Sequence, residues 1–181
     1  MQVKVSDQPE RAAAADALHG SAIIRAIKAS RIEYVVSVPD IVTSEGLLRP
    51  LAQDKVLRLI RVCKEDEGIG ICAGLAFCNK RALLLIQHTG LLDSLNAVRA
   101  VAVEYSQPIC MMVGMLGKEP DVPARQSKRY GVRIVEPVLD AMSIAYHRID
   151  NDADLSQVRP AIDGAYAGSQ PVAFLIGRSP A

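Results

Sequence analysis

The sequence predicts an α/β fold, a single open doubly wound sheet that is mainly parallel and has helices on both faces. Two observations lead there. Five short apolar runs have the length of buried strands, and stretches of helical character separate them, so that strand and helix alternate. The run Ala82-Leu83-Leu84-Leu85-Ile86 has no polar alternation at all. A strand covered on both faces reads that way, and double coverage is the mark of a parallel sheet between helices, with right-handed crossovers.

The elements follow in order. Ala14, Ala17, Leu18 and Ile24 fall on one side of a helical wheel and predict a helix before the first strand. Tyr34 to Val38 is the first strand, and Gly46 lies in the connection after it. Val56 to Val62 is the second, and the acidic stretch Lys64-Glu65-Asp66-Glu67 runs from it into Gly68-Ile69-Gly70-Ile71-Cys72-Ala73-Gly74. Ala82 to Ile86 is the third strand, with Asp93 placed to cap the helix that follows. Gln107-Pro108 introduces Ile109 to Val113, and Gly117 to Gly131 reads as a long loop, rich in charge and turn formers. Pro137 suits the first turn of a helix containing Val138, Leu139 and Met142, and Val172 to Ile176 is the last strand. With no repeat and no linker, residues 1–181 are read as a single domain.

Composition narrows the function classes. Half of the residues are hydrophobic and 23% charged, a globular mixture rather than a disordered one. Lys plus Arg number 21 against 20 for Asp plus Glu, so a net charge of +1 gives no field to draw a polyanion or an anionic membrane surface. The lack of Trp, with five Tyr and two Phe, leaves little to stack on bases. Neither nucleic acid nor membrane is expected as a partner. The four cysteines form no C-x-x-C pair and read as buried reduced thiols. No leader opens the chain and the apolar runs fall short of the ~20 residues of a bilayer span, which predicts a cytoplasmic protein.

Open α/β sheets bind ligands beyond the carboxyl ends of their strands. Three segments are placed there: Ser37-Val38-Pro39-Asp40, Lys64 to Gly68, and Gln87-His88-Thr89-Gly90. Glu65, Asp66 and Glu67 could be first-turn acids that favour the positive end of a helix dipole, or one of them could be catalytic. The glycines that follow lack the G-x-G-x-x-G spacing, and no Walker A sequence occurs. His88 could serve chemistry or be a hydrogen-bonded structural residue. Lys118, Arg125, Lys128, Arg129 and Arg133 make the loop at 117–131 and its edge the most basic stretch. Their charges suit phosphonate, sulfonate or carboxylate groups, as an anion-binding lid, or simply face solvent.

Taken together, Val38-Pro39-Asp40, Glu65 to Gly74, Gln87-His88-Thr89-Gly90-Leu91-Leu92-Asp93-Ser94-Leu95-Asn96-Ala97 and Gln107-Pro108 with its strand resemble the pyrimidine-binding domain of thiamine-diphosphate-dependent enzymes. Within that family the likeness is greatest to the alpha subunit of sulfopyruvate decarboxylase and the matching half of phosphonopyruvate decarboxylase, and it covers most of residues 15–178. The family's activating glutamate lies nine residues before a glycine, which places that role on Glu65, ahead of Gly74. The resemblance implies a catalytic pair Glu65 and His88, and a cofactor cradle of Val38, Pro39, Asp40, Glu65, Thr89, Gly90 and Leu91. The family often has Asn in place of His88 and Gly in place of Leu92.

What the resemblance implies is thiamine diphosphate chemistry on a small anionic 2-oxo acid such as 3-sulfopyruvate or phosphonopyruvate. The coenzyme accepts the electrons released as carbon dioxide departs, and an acid beside its aminopyrimidine activates it. The family's GDG…N segment, which holds Mg2+ and the diphosphate, is not found in the sequence; Ile162-Asp163-Gly164 lacks the leading Gly. A diphosphate-binding beta subunit is therefore expected as partner, in a hetero-oligomer. Two alternatives stay open: a non-catalytic α/β binding or regulatory subunit, and a carboligase subunit using the same coenzyme.

Overall fold

Six strands, all parallel, form one sheet in the order β2-β1-β3-β4-β6-β5. The computed structural model describes residues 17–181. In chain order these are α1 (Gly20–Ala29), β1 (Tyr34–Ser37), a π-helical turn Ser44–Leu48 leading into α2 (Arg49–Gln53), β2 (Arg58–Arg61), α3 (Glu65–Phe77), β3 (Ala82–Gln87), α4 (His88–Asp93) and α5 (Leu95–Ala97). A second π-helical segment, Val98–Glu104, precedes β4 (Cys110–Gly114). The 3-10 turn Ala124–Gln126, α6 (Tyr130–Ala141), β5 (Ala145–Ile149), a 3-10 stretch Asp152–Gln157, α7 (Val158–Gly168) and β6 (Val172–Ile176) complete the chain.

Strand parity divides the core. Val35, Leu83, Leu85, Cys110, Met112, Phe174 and Ile176 face one layer, with Ile23 and Ile27 of α1 and Val158 and Ile162 of α7. Their neighbours Val36, Leu84, Ile86, Met111, Val113, Ala173 and Leu175 face the other, against Ile69, Cys72 and Ala73 of α3 and Val132, Val135 and Leu139 of α6. The register sets Val35 beside Leu83 and Val36 beside Leu84, so side chains of one layer stay in line across the sheet. This is the doubly wound α/β sheet that the unbroken apolar strands predict.

Several local expectations are corrected. Ala14 lies outside the described residues, and α1 begins at Gly20, with Gly20, Ala22, Ile23 and Ile27 as its buried stripe; Ala17 and Leu18 precede it. Gly20 packs on the Gly46 carbonyl, where a Cβ would stand 1.6 Å from the oxygen. Pro137 is not in a first turn but in the interior of α6. That helix begins earlier, on a stripe of Val132, Val135, Glu136 and Leu139, and the charge on Glu136 hides the stripe from a hydrophobic reading. Asp93 caps nothing; it ends α4 and stands 3.7 Å from Lys64. Strand β5, Ala-Tyr-His-Arg-Ile at the sheet edge, has too little apolar content to read as a run. Of the cysteines only Cys72 and Cys110 are buried, the Cys72 thiol being pushed up to about 12 by burial; Cys63 and Cys78 are exposed. Among the described residues no helix is long and apolar enough to cross a membrane.

Candidate active site

The connections after β1, β2 and β3 meet at the carboxyl edge of the sheet. Helix α3 starts at Glu65, and its three leading acids have different duties. Glu67 accepts the backbone N–H groups of Cys63 and Lys64 at 3.0 and 3.2 Å, closing the helix start. Asp66 accepts the N–H of Glu67 at 2.9 Å. Glu65 is half-buried, and its carboxylate has no hydrogen bond or ion pair among the described residues. It lies flat on the backbone of Gly90: a Cβ on that glycine would stand 2.0 Å from Oε1 and 2.4 Å from Cγ. Gly90 therefore leaves the room that the acid occupies.

His88 opens α4 and is buried, 5% exposed. Its Nδ1 has no hydrogen-bond partner among the described residues, and Nε2 faces Gly131 at the start of α6, where a Cβ would come within 3.0 Å. Burial lowers the imidazole pKa more than the Gly114 carbonyl and the Asp40 charge raise it, so the ring is held neutral at pH 7. Asp40 is buried and occupied: Oδ1 accepts the N–H of Val42 at 2.6 Å and of Thr43 at 3.1 Å, and Oδ2 the hydroxyl of Thr43. It fixes the turn after β1 over the end of β4, where a Cβ on Gly114 would meet its Oδ1 at 3.1 Å.

The remaining cradle residues divide. Val38 is half-buried and Pro39 exposed on the same edge, and Thr89 is exposed with its hydroxyl donating to Gln87 at 2.7 Å. Leu91 is fully buried in the α3 and α6 layer, so it supports the site from behind.

The basic loop does not act as one unit. Arg125 donates to Glu136 at 2.9 Å, to Asp140 and to the Tyr146 hydroxyl at 3.1 Å. Glu136 is fully buried and also receives both arms of Arg148 at 2.7 Å. Burial pushes the Glu136 carboxyl up, but Arg148 and then Arg125 outweigh it and hold it below the usual carboxylate range. Arg133 donates to the Ser127 carbonyl at 3.1 Å and lies over the Tyr130 ring. These cations are structural here, and Arg148, which sequence reasoning missed, is part of their network; its only signal is a lone charge in a strand of mixed polarity.

No family model matches the chain. It is similar to proteins named sulfopyruvate decarboxylase subunit alpha. The identity is 28% over 156 residues with that of Methanocaldococcus jannaschii, covering 85% of this chain and 90% of the relative. With that of Methanococcus maripaludis it is 34% over 96 residues, covering 53% of this chain and 57% of the relative. A protein named sulfopyruvate decarboxylase, from Methanosarcina acetivorans, is 26% identical over 122 residues, which cover 65% of this chain but 30% of that longer one.

Proposed function

We propose that the chain is the alpha subunit of a split, cytoplasmic, thiamine-diphosphate-dependent decarboxylase, acting on a small anionic 2-oxo acid for which 3-sulfopyruvate is the first choice and phosphonopyruvate the second. The names of its relatives support the decarboxylase and the subunit role. The observation that carries the cofactor and the acid is the Glu65 carboxyl itself. It is half-buried, without a partner among the described residues, and seated on Gly90 at the strand edge.

Those residues fit an aminopyrimidine. A half-buried carboxyl without a hydrogen bond is costly unless a ligand atom completes it, and a ring nitrogen is such an atom. Glu65 would hold a proton against that nitrogen, and Gly90 keeps the acid in line by leaving no side chain to displace it. The neutral His88 ring, with a free Nδ1 in a buried place, would keep the surroundings polar without adding positive charge. Asp40 holds the β1 turn as one wall. When bound, the coenzyme would supply the electron sink for loss of carbon dioxide. Mg2+ and the diphosphate would be held by a beta subunit.

Helix α3 supports the need for that partner. Beyond Glu67 its sequence is apolar all round, Gly68 to Phe77, and such helices are normally covered on every side. Yet Gly70 and Gly74 have open space above them, and Phe77 is 74% exposed. The uncovered face runs from Gly70 through Gly74 to Phe77, and a subunit docking there would cover what the fold leaves bare.

The test is decarboxylation by the chain reconstituted with its partner, thiamine diphosphate and Mg2+. Glu65→Gln should lower turnover of 3-sulfopyruvate by about 10²–10⁴-fold, the range for a positioned acid or base, with the fold intact by circular dichroism. Undiminished turnover by this variant would remove Glu65 from the mechanism.

A further inference from the structure

The other half of the carboxyl edge holds a second crevice. The chain leaves β4 toward α6 in one layer and leaves β5 toward α7 in the other, while β6 lies between them. Connections that diverge to opposite faces open a gap above the intervening strand end, the position at which open α/β sheets take ligands. Here the gap is a cavity of ≈ 280 Å³. Lys118 after β4, Arg148 and Asp150 at the end of β5, and Gly177 and Arg178 after β6 line it, with Asp121 at the rim.

The cations are held there by construction. Gly177 has no side chain because Asp150 and Lys118 fill its place: a Cβ would stand 1.8 Å from Asp150 Oδ1 and 3.2 Å from Lys118 Cε. The Lys118 side chain is only 9% exposed. Its ammonium has Asp150 as counter-ion at 3.4 Å and the Glu119 carbonyl at 3.4 Å, both long for a charge-assisted bond. Charge-assisted bonds run to ~2.7–2.9 Å, the length seen between Arg148 and Glu136. A nearly buried ammonium with loose partners is short of hydrogen-bond acceptors. Arg178, 4.0 Å from the exposed Asp121, brings a second cation to the mouth.

We propose that this crevice is a binding site for a small oxyanion, a sulfonate, phosphate or carboxylate group, held by Lys118 with Arg178 at the mouth. The site is independent of the reaction assigned above. Binding is measured by titration calorimetry of the full chain, with inorganic sulfate in one arm and 3-sulfopyruvate in the other. Tighter binding of the organic acid marks a headgroup site, and equal binding a site for the free ion; either supports the proposal. Lys118→Met, which keeps the stem, should weaken binding about tenfold or more, Arg178→Gln should weaken it to a lesser degree, and Lys128→Met on the exposed loop should leave it unchanged. Glu65→Gln should retain full anion affinity while losing turnover, which separates this site from the decarboxylase reading. Absence of saturable binding at tens of millimolar, or equal weakening by Lys128→Met, overturns the proposal.

Discussion

Two carboxylates, Glu136 and Glu65, are treated in opposite ways by the fold. Behind β5, Glu136 is fully buried and every oxygen is answered, by Arg148 through two bonds and by Arg125 through a third. Beyond β2 and β3, Glu65 is half-buried without a bond and His88 has an unanswered Nδ1. The first arrangement stabilises the chain from its own resources, whereas the second leaves polar groups that only something else could satisfy. Internal completeness thus separates a structural charge from a functional one where burial alone does not.

The largest effect expected on stability comes from breaking the complete side. Glu136→Gln should cost about 3 kcal/mol in denaturant unfolding, the low end for a broken buried pair because both guanidinium groups reach solvent. Glu65→Gln should stay within about 0.5 kcal/mol, since no internal bond is lost. A Glu65→Gln loss equal to that of Glu136→Gln would erase the distinction. Gly90→Ala tests the seat of the acid. Its Cβ would collide with the Glu65 carboxyl, a flexible side-chain end that no bond holds, so the acid should swing aside: turnover should fall while stability changes by less than about 1 kcal/mol. Turnover unchanged would show that the position of the acid is not what matters.

The smallest effects are in pH. The folded-state pKa of His88 is lowered, so the stability it contributes is complete above the unfolded value of about 6.5 and is lost as the pH falls through that value toward the folded one. Glu136 behaves the same way lower down: its contribution is complete above the ordinary carboxylate value of about 4.3 and disappears as the pH falls toward its folded pKa. His88→Asn should flatten the stability profile near pH 6, and Glu136→Gln the profile below pH 4. Unaltered slopes in thermal unfolding across those windows would count against the assigned groups.

The sheet was legible because buried parallel strands are apolar without interruption, and Leu83 to Ile86 could be little else. Strand β5 and the start of α6 were not, because His147 and Arg148 interrupt one pattern and Glu136 the other, and only the fold shows that these charges answer each other. At the edge, the three segments ending in Asp40, Glu65 and His88 could be placed from topology. That Glu65 rather than Glu67 is uncommitted rested on a resemblance, since a capping acid and an idle one look alike in a string of letters. The structure separates them by the N–H groups that Glu67 accepts. Arg178 and Arg148 were missed as pocket residues because nothing local relates the ends of β5 and β6.

The bare flank of α3, with Phe77 beside Gly74, has a bearing on how the polypeptide must be handled. Exposed apolar surface drives clumping as concentration rises. Copies made in excess of whatever shields this flank should precipitate first, so co-expression in matched amounts becomes a condition for obtaining soluble material.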